Sequence, residues 1–380
     1  MKGIFLVFHG FAAHNGISKK IFAQLEALRR LGADISLCSL SVDARGHRKR
    51  MIGDEVLEDY GTGLRGKIRK RTSYRALSEY VRREGIDFIY MRSDHNANPL
   101  LGRWLKKQQK AGVRILMEIP TYPYDCEYAR SPLKRKLSLW TDKLFRRGMA
   151  RHIDRMVTFS DYERIFGVPA LRLSNGIDFR SIPLKPASGD ISAEVRLIGV
   201  ADIHFWHGFD RVIEGLGAYY ATKPERQVWF HVVGSGVPAE LALLHELTER
   251  HGLGQRVVFH GPLSGASLDE AFSRADFGIA SLGRHRNGIT RIKTLKNREY
   301  AARGIPFVYS ETDEDFDAMP YVLKAPADDS PLDIASLLAF LDGCRLAPAD
   351  IRRSIEQTLS WDMQMGRVLH EIETLKSAQQ

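Results

Sequence analysis

The sequence predicts an α/β protein of two Rossmann-like, doubly wound domains facing a central cleft, on three observations. Short apolar runs alternate with helix-patterned segments along most of the 380 residues, as parallel strands joined by helical crossovers do. The alternation stops once, around "SNGIDFRSIPLKPASGD", where Pro, Ser and Gly accumulate, and then resumes. The length suffices for two cores, and a composition of 44% hydrophobic and 27% charged residues belongs to a globular chain.

"GIFLVFH" opens the first series as a nearly continuous apolar strand, the pattern of a sheet covered on both faces. "SKKIFAQLEALRRLG" follows as a helix, with Ile21, Leu25 and Leu28 on one face and Gly32 at its end. Next come "ADISLCSL" as a strand, a basic loop region, and "YRALSEYVRREG" as a helix. "DFIYM", "PLLGRWLKKQQKAG", "RILMEI", a helix over Leu133–Met149 and "RMVTFS" continue the alternation. The second series runs "VRLIGV", "FDRVIEGLGAYY", "QVWFHVVG", a helix near Pro238–His251, "RVVFHG", "LDEAFSRA", "DFGIAS", "TLKNREYAARG" and "PFVYS". Within it Thr294 suits a helix N-cap and Gly304 the left-handed residue after the helix. Two helical segments finish the chain, the last near Met363–Lys376. The expected domains are residues 1–180 and 181–360, with a C-terminal helix over 361–380 placed to cross back to the first.

Charge divides the same way. Residues 1–180 hold 35 Lys and Arg against 19 Asp and Glu, whereas residues 181–380 hold 21 against 27. The basic half is expected to meet something anionic. No apolar run reaches the length of a membrane span, and "MKGIFLVFHGF" is too short in its apolar part for a secretory leader. Cys38, Cys126 and Cys344 are far apart, suggesting neither a disulfide framework nor a zinc site, and a cytoplasmic location is expected.

Ligands of open parallel sheets sit beyond the carboxyl ends of the strands. In the first half that place holds "HGFAAHNGISKK", where Gly16 allows close approach and Ser18 suits a cap. In the second half four polar loops follow four strands: "GVADIHFWHG", "GSG" (Gly234 to Gly236), "HGPLS" and "GRHRNGITRIKTLKNRE". The last carries Arg284, Arg286, Arg291, Lys293 and Lys296, enough positive charge for a diphosphate, although a solvated basic loop would look the same.

Taken in order, "VVGSG", "RVVFHG", "AFSRADFGIA" and "TLKNREYAARGIPFV" resemble glycosyltransferase family 4, retaining enzymes of the GT-B fold. "GISKKIFAQLEALRRLG" and "VTFSDYERIFGVPALRLSNGID" agree in the first half, so the likeness is spread over about the whole chain. The resemblance implies a nucleotide-diphosphate sugar as co-substrate on the second domain. It also implies a glycan or lipid-linked saccharide acceptor on the first, with neither cofactor nor essential metal. Glu299 matches the glutamate that binds the donor ribose, and Ile292–Leu295 the loop whose N–H groups meet the phosphates. His207 and Gly208 stand where the family has Lys-Gly at the diphosphate, and Gly234, Gly236 and Gly288 lie in the matching loops. Three positions depart from the pattern. Asp202 replaces an arginine, Arg291 replaces the first of two glutamates, and the expected first-domain histidine falls near Arg92, with His95 three residues on. Arg291 and Lys296 are therefore expected to neutralise phosphate, and Arg92, His95 and Glu118 to line the acceptor side with Gly16.

Other features have simpler readings. "ETDEDFDA" contains a D-x-D, Asp313 to Asp315, outside a metal-binding context, and reads as a solvated loop. "SPLKRKLSLWTDKLFRRGM" puts Leu133, Leu137, Trp140 and Leu144 on one helical face among basic residues. The plain reading packs that face on its own domain; the sharper one lays it on an anionic membrane. Nucleic acid is the rival partner for the basic half, but interleaved aromatics and a recognition motif are missing. A sugar-nucleotide epimerase of the same architecture is the nearer alternative to a transferase.

Overall fold

A computed structural model describes residues 1–11, 16–128, 132–187 and 189–378. The chain forms two compact units, Met1–Ser174 with Trp361–Gln380, and Asn175–Ser360.

The first unit contains β1 (Lys2–Leu6), β2 (Asp34–Val42), β3 (Arg48–Ile52), β4 (Glu55–Gly61), β5 (Phe88–Arg92), β6 (Arg114–Ile119), β7 (Arg155–Thr158), β8 (Arg164–Ile165) and β9 (Val168–Arg172). They form one sheet in the order β4-β3-β2-β1-β5-β6-β7-β9-β8. Pairing is parallel from β2 through β9, and antiparallel only in the flanking pairs β2–β3, β3–β4 and β8–β9. Strands β5 and β6 are buried at every position, as their continuous apolar runs require when helices cover both faces. Ile89, Met91, Ile115 and Met117 meet Leu77, Leu101 and Leu105 from the helices Arg75–Arg83 and Pro99–Lys110 in one core.

The hairpin β3–β4 stands where the sequence suggested a basic loop. Arg48, Lys49 and Arg50 hide the strand, because the guanidinium of Arg50 is fully buried and donates to the Tyr60 hydroxyl at 2.6 Å. A short basic helix, Gly63–Thr72, follows.

The second unit contains β10 (Glu194–Val200), β11 (Gln227–Val233), β12 (Val257–Gly261), β13 (Phe277–Ile279), β14 (Phe307–Tyr309) and β15 (Val322–Lys324). All pair in parallel, in the order β12-β11-β10-β13-β14-β15. The chain winds outward from β10 to β12 and then returns across the sheet to β13. Its crossovers therefore diverge at β10 and β13, and a crevice opens at the carboxyl ends of those two strands. The edge strand β15, only three residues long, is an element the sequence pattern did not signal.

Three helices finish the chain where two were expected: Ile334–Gly343, Pro348–Glu356 and Trp361–Ser377. The last packs on the first unit. Arg30 Nε donates to Asp362 at 3.1 Å, Arg155 Nε to Glu371 at 2.7 Å, and Lys376 Nζ to Asp87 at 2.7 Å. Among the described residues no helix is long and apolar enough to cross a membrane.

Candidate functional site

In the second unit the crevice between β10 and β13 is closed at its base by main-chain bonds. The N–H of Leu282 donates to the His207 carbonyl at 2.9 Å, and that of Gly283 to Trp206 at 3.2 Å. Gly208 turns the chain there with φ +66°, and a Cβ on it would lie 2.8 Å from Leu282. His207 is buried, and its Nδ1 accepts from the His204 N–H at 3.0 Å, which leaves the proton on Nε2. Burial first, then the charges of Lys296 and Arg284, hold its pKa well below the usual imidazole value. His207 is therefore a neutral single donor. Asp202, at the arginine position, is exposed and lies 3.4 Å from His204.

The structure sorts the basic loop. Arg286 is clamped by Asp210 at 2.9 and 2.7 Å and by Asp329 at 2.6 Å. Arg291 is exposed and lies 3.2 Å from Glu314, while Lys293 lies 3.9 Å from Asp315. Arg284 and Lys296 remain beside His207, the former with its guanidinium 5.5 Å from the Trp206 ring. Burial and then the Arg284 charge push Lys296 down to about 7, against the pull of Glu311 and Asp202. Lys296 is thus brought to His207, whereas Arg291 and the exposed Gly288 are placed on the outer part of the loop.

Thr294 caps the helix Leu295–Arg303, its hydroxyl accepting from the Asn297 N–H at 3.4 Å, and Gly304 follows with φ +76°. The Ile292 N–H is already given to Thr312 at 3.0 Å, so one of the four amides expected for phosphate is not on offer. Glu299 is partly exposed, and its Oε1 accepts from Arg303 Nε and Nη2 at 3.2 and 3.0 Å. Arg303 is itself held by Asp269 at 2.8 Å, which fixes the carboxylate while both contacts fall on one oxygen. The glycines of "GSG" serve the fold: a Cβ on Gly234 would lie 1.7 Å from the Ala201 carbonyl, and Gly236 bridges Ile203.

The D-x-D is corrected as well. Asp313 is 1% exposed and binds the fully buried Arg298, as does Asp315, so the loop is a buried ion-pair network and not a solvated run.

In the first unit Glu118, expected on an acceptor-lining surface, is fully buried. It accepts from Gln24 Nε2 and the Tyr90 hydroxyl, each at 2.7 Å, lies 3.3 Å from Lys20 and pairs with Arg92. Burial would raise its pKa, but Lys20 and Arg92 bring it down to about 2. It positions Arg92, which is 8% exposed, and Lys20 from the helix Gly16–Arg30. Ser18 lies inside that helix, so it is not the cap the sequence suggested; a Cβ on Gly16 would meet nothing within 4 Å. The loop residues 12–15 lie outside the described residues.

His95 takes a left-handed backbone with φ +49°, uncommon for a residue with a side chain. Its ring stacks on Tyr124 at 3.7 Å and Nδ1 meets the Tyr128 hydroxyl at 2.6 Å. Burial lowers its pKa to about 4, so it is neutral at ordinary pH.

The amphipathic face lies on the helix Leu133–Ala150. Leu133, Leu137, Trp140 and Leu144 are 83, 62, 63 and 59% exposed, so packing on their own unit is overturned.

Ser281 and Glu311, which the sequence reading passed over, complete the crevice. Ser281 follows β13 and Glu311 follows β14, and the Ser310 N–H donates to the Ser281 carbonyl at 3.1 Å. The signal was their place after two apolar strands.

No family model matches the sequence. No curated protein matches it either. Solved structures do. A sucrose-phosphate synthase from Thermosynechococcus elongatus is similar with a TM-score of 0.69 at 16% identity, over 100% of both chains. The Anabaena protein HepE in complex with UDP is similar with a TM-score of 0.60 at 14% identity, over 98% of this chain and 100% of that one. The catalytic domain of starch synthase IV from Arabidopsis thaliana, bound to ADP and acarbose, is similar with a TM-score of 0.61 at 14% identity, over 99% and 98%. At such identities the likeness establishes the fold, and the fold of this chain is α/β, of the two-unit GT-B type.

Proposed function

We propose that this protein is a retaining glycosyltransferase that moves a sugar from a nucleoside-diphosphate donor to a hydroxyl of a glycan or lipid-linked saccharide. The observation that carries the reading is the crevice of the second unit, where His207, Lys296 and Arg284 converge at the switch point of the sheet. A diphosphate fits that chemistry: one neutral N–H donor and two long cationic side chains in a partly desolvated place. Glu299, held by Arg303 with one oxygen unused by it, suits two adjacent ribose hydroxyls. The complexes of HepE with UDP and of starch synthase IV with ADP support a nucleotide in a fold of this kind.

In this reading Lys296 and Arg284 stabilise charge on the departing diphosphate, the electrostatic term that dominates such transfers. No paired nucleophile and base is needed if the leaving diphosphate takes the proton of the incoming hydroxyl on the same face of the sugar. The first unit takes the acceptor through Arg92, His95 and Gly16, with Glu118 holding Arg92 in place. The exposed Leu and Trp face of Leu133–Ala150, with Arg135, Lys136, Lys143 and Arg147 around it, supports peripheral contact with an anionic membrane.

Calorimetric titration with UDP, GDP and ADP tests the donor site. One of them should bind, and Glu299→Ala should weaken it about tenfold, ~1.4 kcal/mol. Binding that ignores the substitution removes Glu299 from the site. Retention is tested separately, by the anomeric configuration of the product.

A further inference from the structure

Glu311 stands apart from the groups assigned to the diphosphate and the ribose. It is 2% exposed, and neither carboxyl oxygen has a hydrogen-bond partner among the described residues. A buried carboxylate left this way is costly, since the water it loses is not replaced. Its surroundings are not apolar by default. Arg284 and Lys296 act on its charge from nearby, and Asp313 two residues on opposes it. Burial outweighs the two cations and lifts the carboxyl to about 7.

Two residues bonded to its chain neighbours Ser310 and Asp313 share the condition. Ser281 is fully buried with its Oγ unpartnered, and its carbonyl is bonded by the residue before Glu311. Asn297, on the first turn of the helix that carries Lys296, donates its amide to Asp313 and leaves Oδ1 unpartnered. The unpartnered atoms are therefore mostly acceptors: two carboxyl oxygens, an amide oxygen, and a hydroxyl able to play either role. What satisfies such a set is a ligand rich in O–H donors. The phosphates of a nucleoside diphosphate carry none when ionised, and the ribose falls to Glu299. The hydroxyls left are those of the transferred sugar.

We propose that Glu311 is the residue that recognises the donor's sugar, its carboxylate accepting hydrogen bonds from sugar hydroxyls. The inference rests on the donor-site reading above. Lys296 and Arg284, both half-buried long side chains, turn to the diphosphate on binding and uncover the carboxylate. The same residue weakens the hold on bare diphosphate, because its negative charge opposes the two cations that grip it. Glu311 thus favours a nucleotide that carries its sugar over one that has lost it, and helps product leave.

The test is calorimetry on wild type and Glu311→Gln, comparing UDP with UDP-glucose and UDP-galactose, GDP with GDP-mannose, and ADP with ADP-glucose. For the nucleotide that binds, the substitution should weaken the sugar conjugate about tenfold while leaving the free diphosphate unchanged or severalfold tighter. A loss confined to the sugar conjugate cannot come from a general loss of structure. The melting temperature serves as a control and should not fall, since the substitution removes a buried charge. Equal weakening of both ligands, or no change in either, overturns the role of Glu311 while the donor site stands. A wild type that binds none of the seven overturns the donor site, and this assignment with it.

Discussion

Glu118 shows what one carboxylate does when two cations depend on it. Lys20 and Arg92 have side chains only 4 and 9% exposed, and Glu118 is fully buried between them. Replacing it by Gln leaves two buried positive charges with no counter-charge, a defect of about 3 kcal/mol or more. Urea denaturation of Glu118→Gln should show that loss; a change below ~1 kcal/mol would mean that water reaches the cluster. The pH dependence has a definite sign. The carboxyl sits at about 2 when folded, below its ordinary value, so its contribution is complete above the ordinary carboxylate range and disappears as the pH falls toward 2. His95, held at about 4, adds a second loss on the acid side, between the ordinary imidazole value and 4, because the unfolded ring takes a proton that the folded one refuses.

Among elements, the helix Leu133–Ala150 is the one whose sequence and setting disagree most. Leu139 and Met149 hold it to the core, while Leu133, Leu137, Trp140 and Leu144 stand in solvent. Substituting Leu137 and Trp140 by Glu should change stability by no more than ~0.5 kcal/mol each, because neither is buried. The same pair should abolish cosedimentation with phosphatidylglycerol vesicles, and raised salt should weaken the wild type. Wild-type protein that stays in the supernatant at low salt would dispose of the membrane contact. The helix was legible in the sequence; its exposure was not, since an apolar stripe reads alike whether it meets a core or a lipid. Strands β5 and β6 were legible because both faces are buried. Strand β3 was not, because the residue it buries is Arg50, whose partner Tyr60 is ten positions away. The site divides likewise. Glu299 and Lys296 could be placed from the cap at Thr294 and the stop at Gly304. Glu311 gives no sequence sign of its burial, and the clamping of Arg286 by Asp210 depends on a contact between residues 76 positions apart.

At the scale of the molecule the chain order matters more than the charge. The second unit is one uninterrupted stretch, Asn175–Ser360, whereas the first is built from both ends of the chain. Expressed alone, residues 175–360 should fold and keep the nucleotide affinity of the intact protein, read by the same titration. Residues 1–174 alone should be insoluble or molten, because the helix Gly16–Arg30 would lose the helix Trp361–Ser377 packed against it. Supplying a peptide of residues 361–380 should recover that fragment, and failure to do so would assign its instability to another cause.

The ion pairs from Asp362, Glu371 and Lys376 to the first unit carry a consequence for synthesis in the cell. The ribosome delivers the first 174 residues early but withholds their closing helix until all of the second unit has emerged. At ~5–20 residues per second that interval lasts on the order of 10–40 s. During it the second unit can complete itself while the first waits with an uncovered flank, the more basic part of the chain and the part most in need of a chaperone. Folding of this protein therefore finishes where it began, at the amino-terminal sheet.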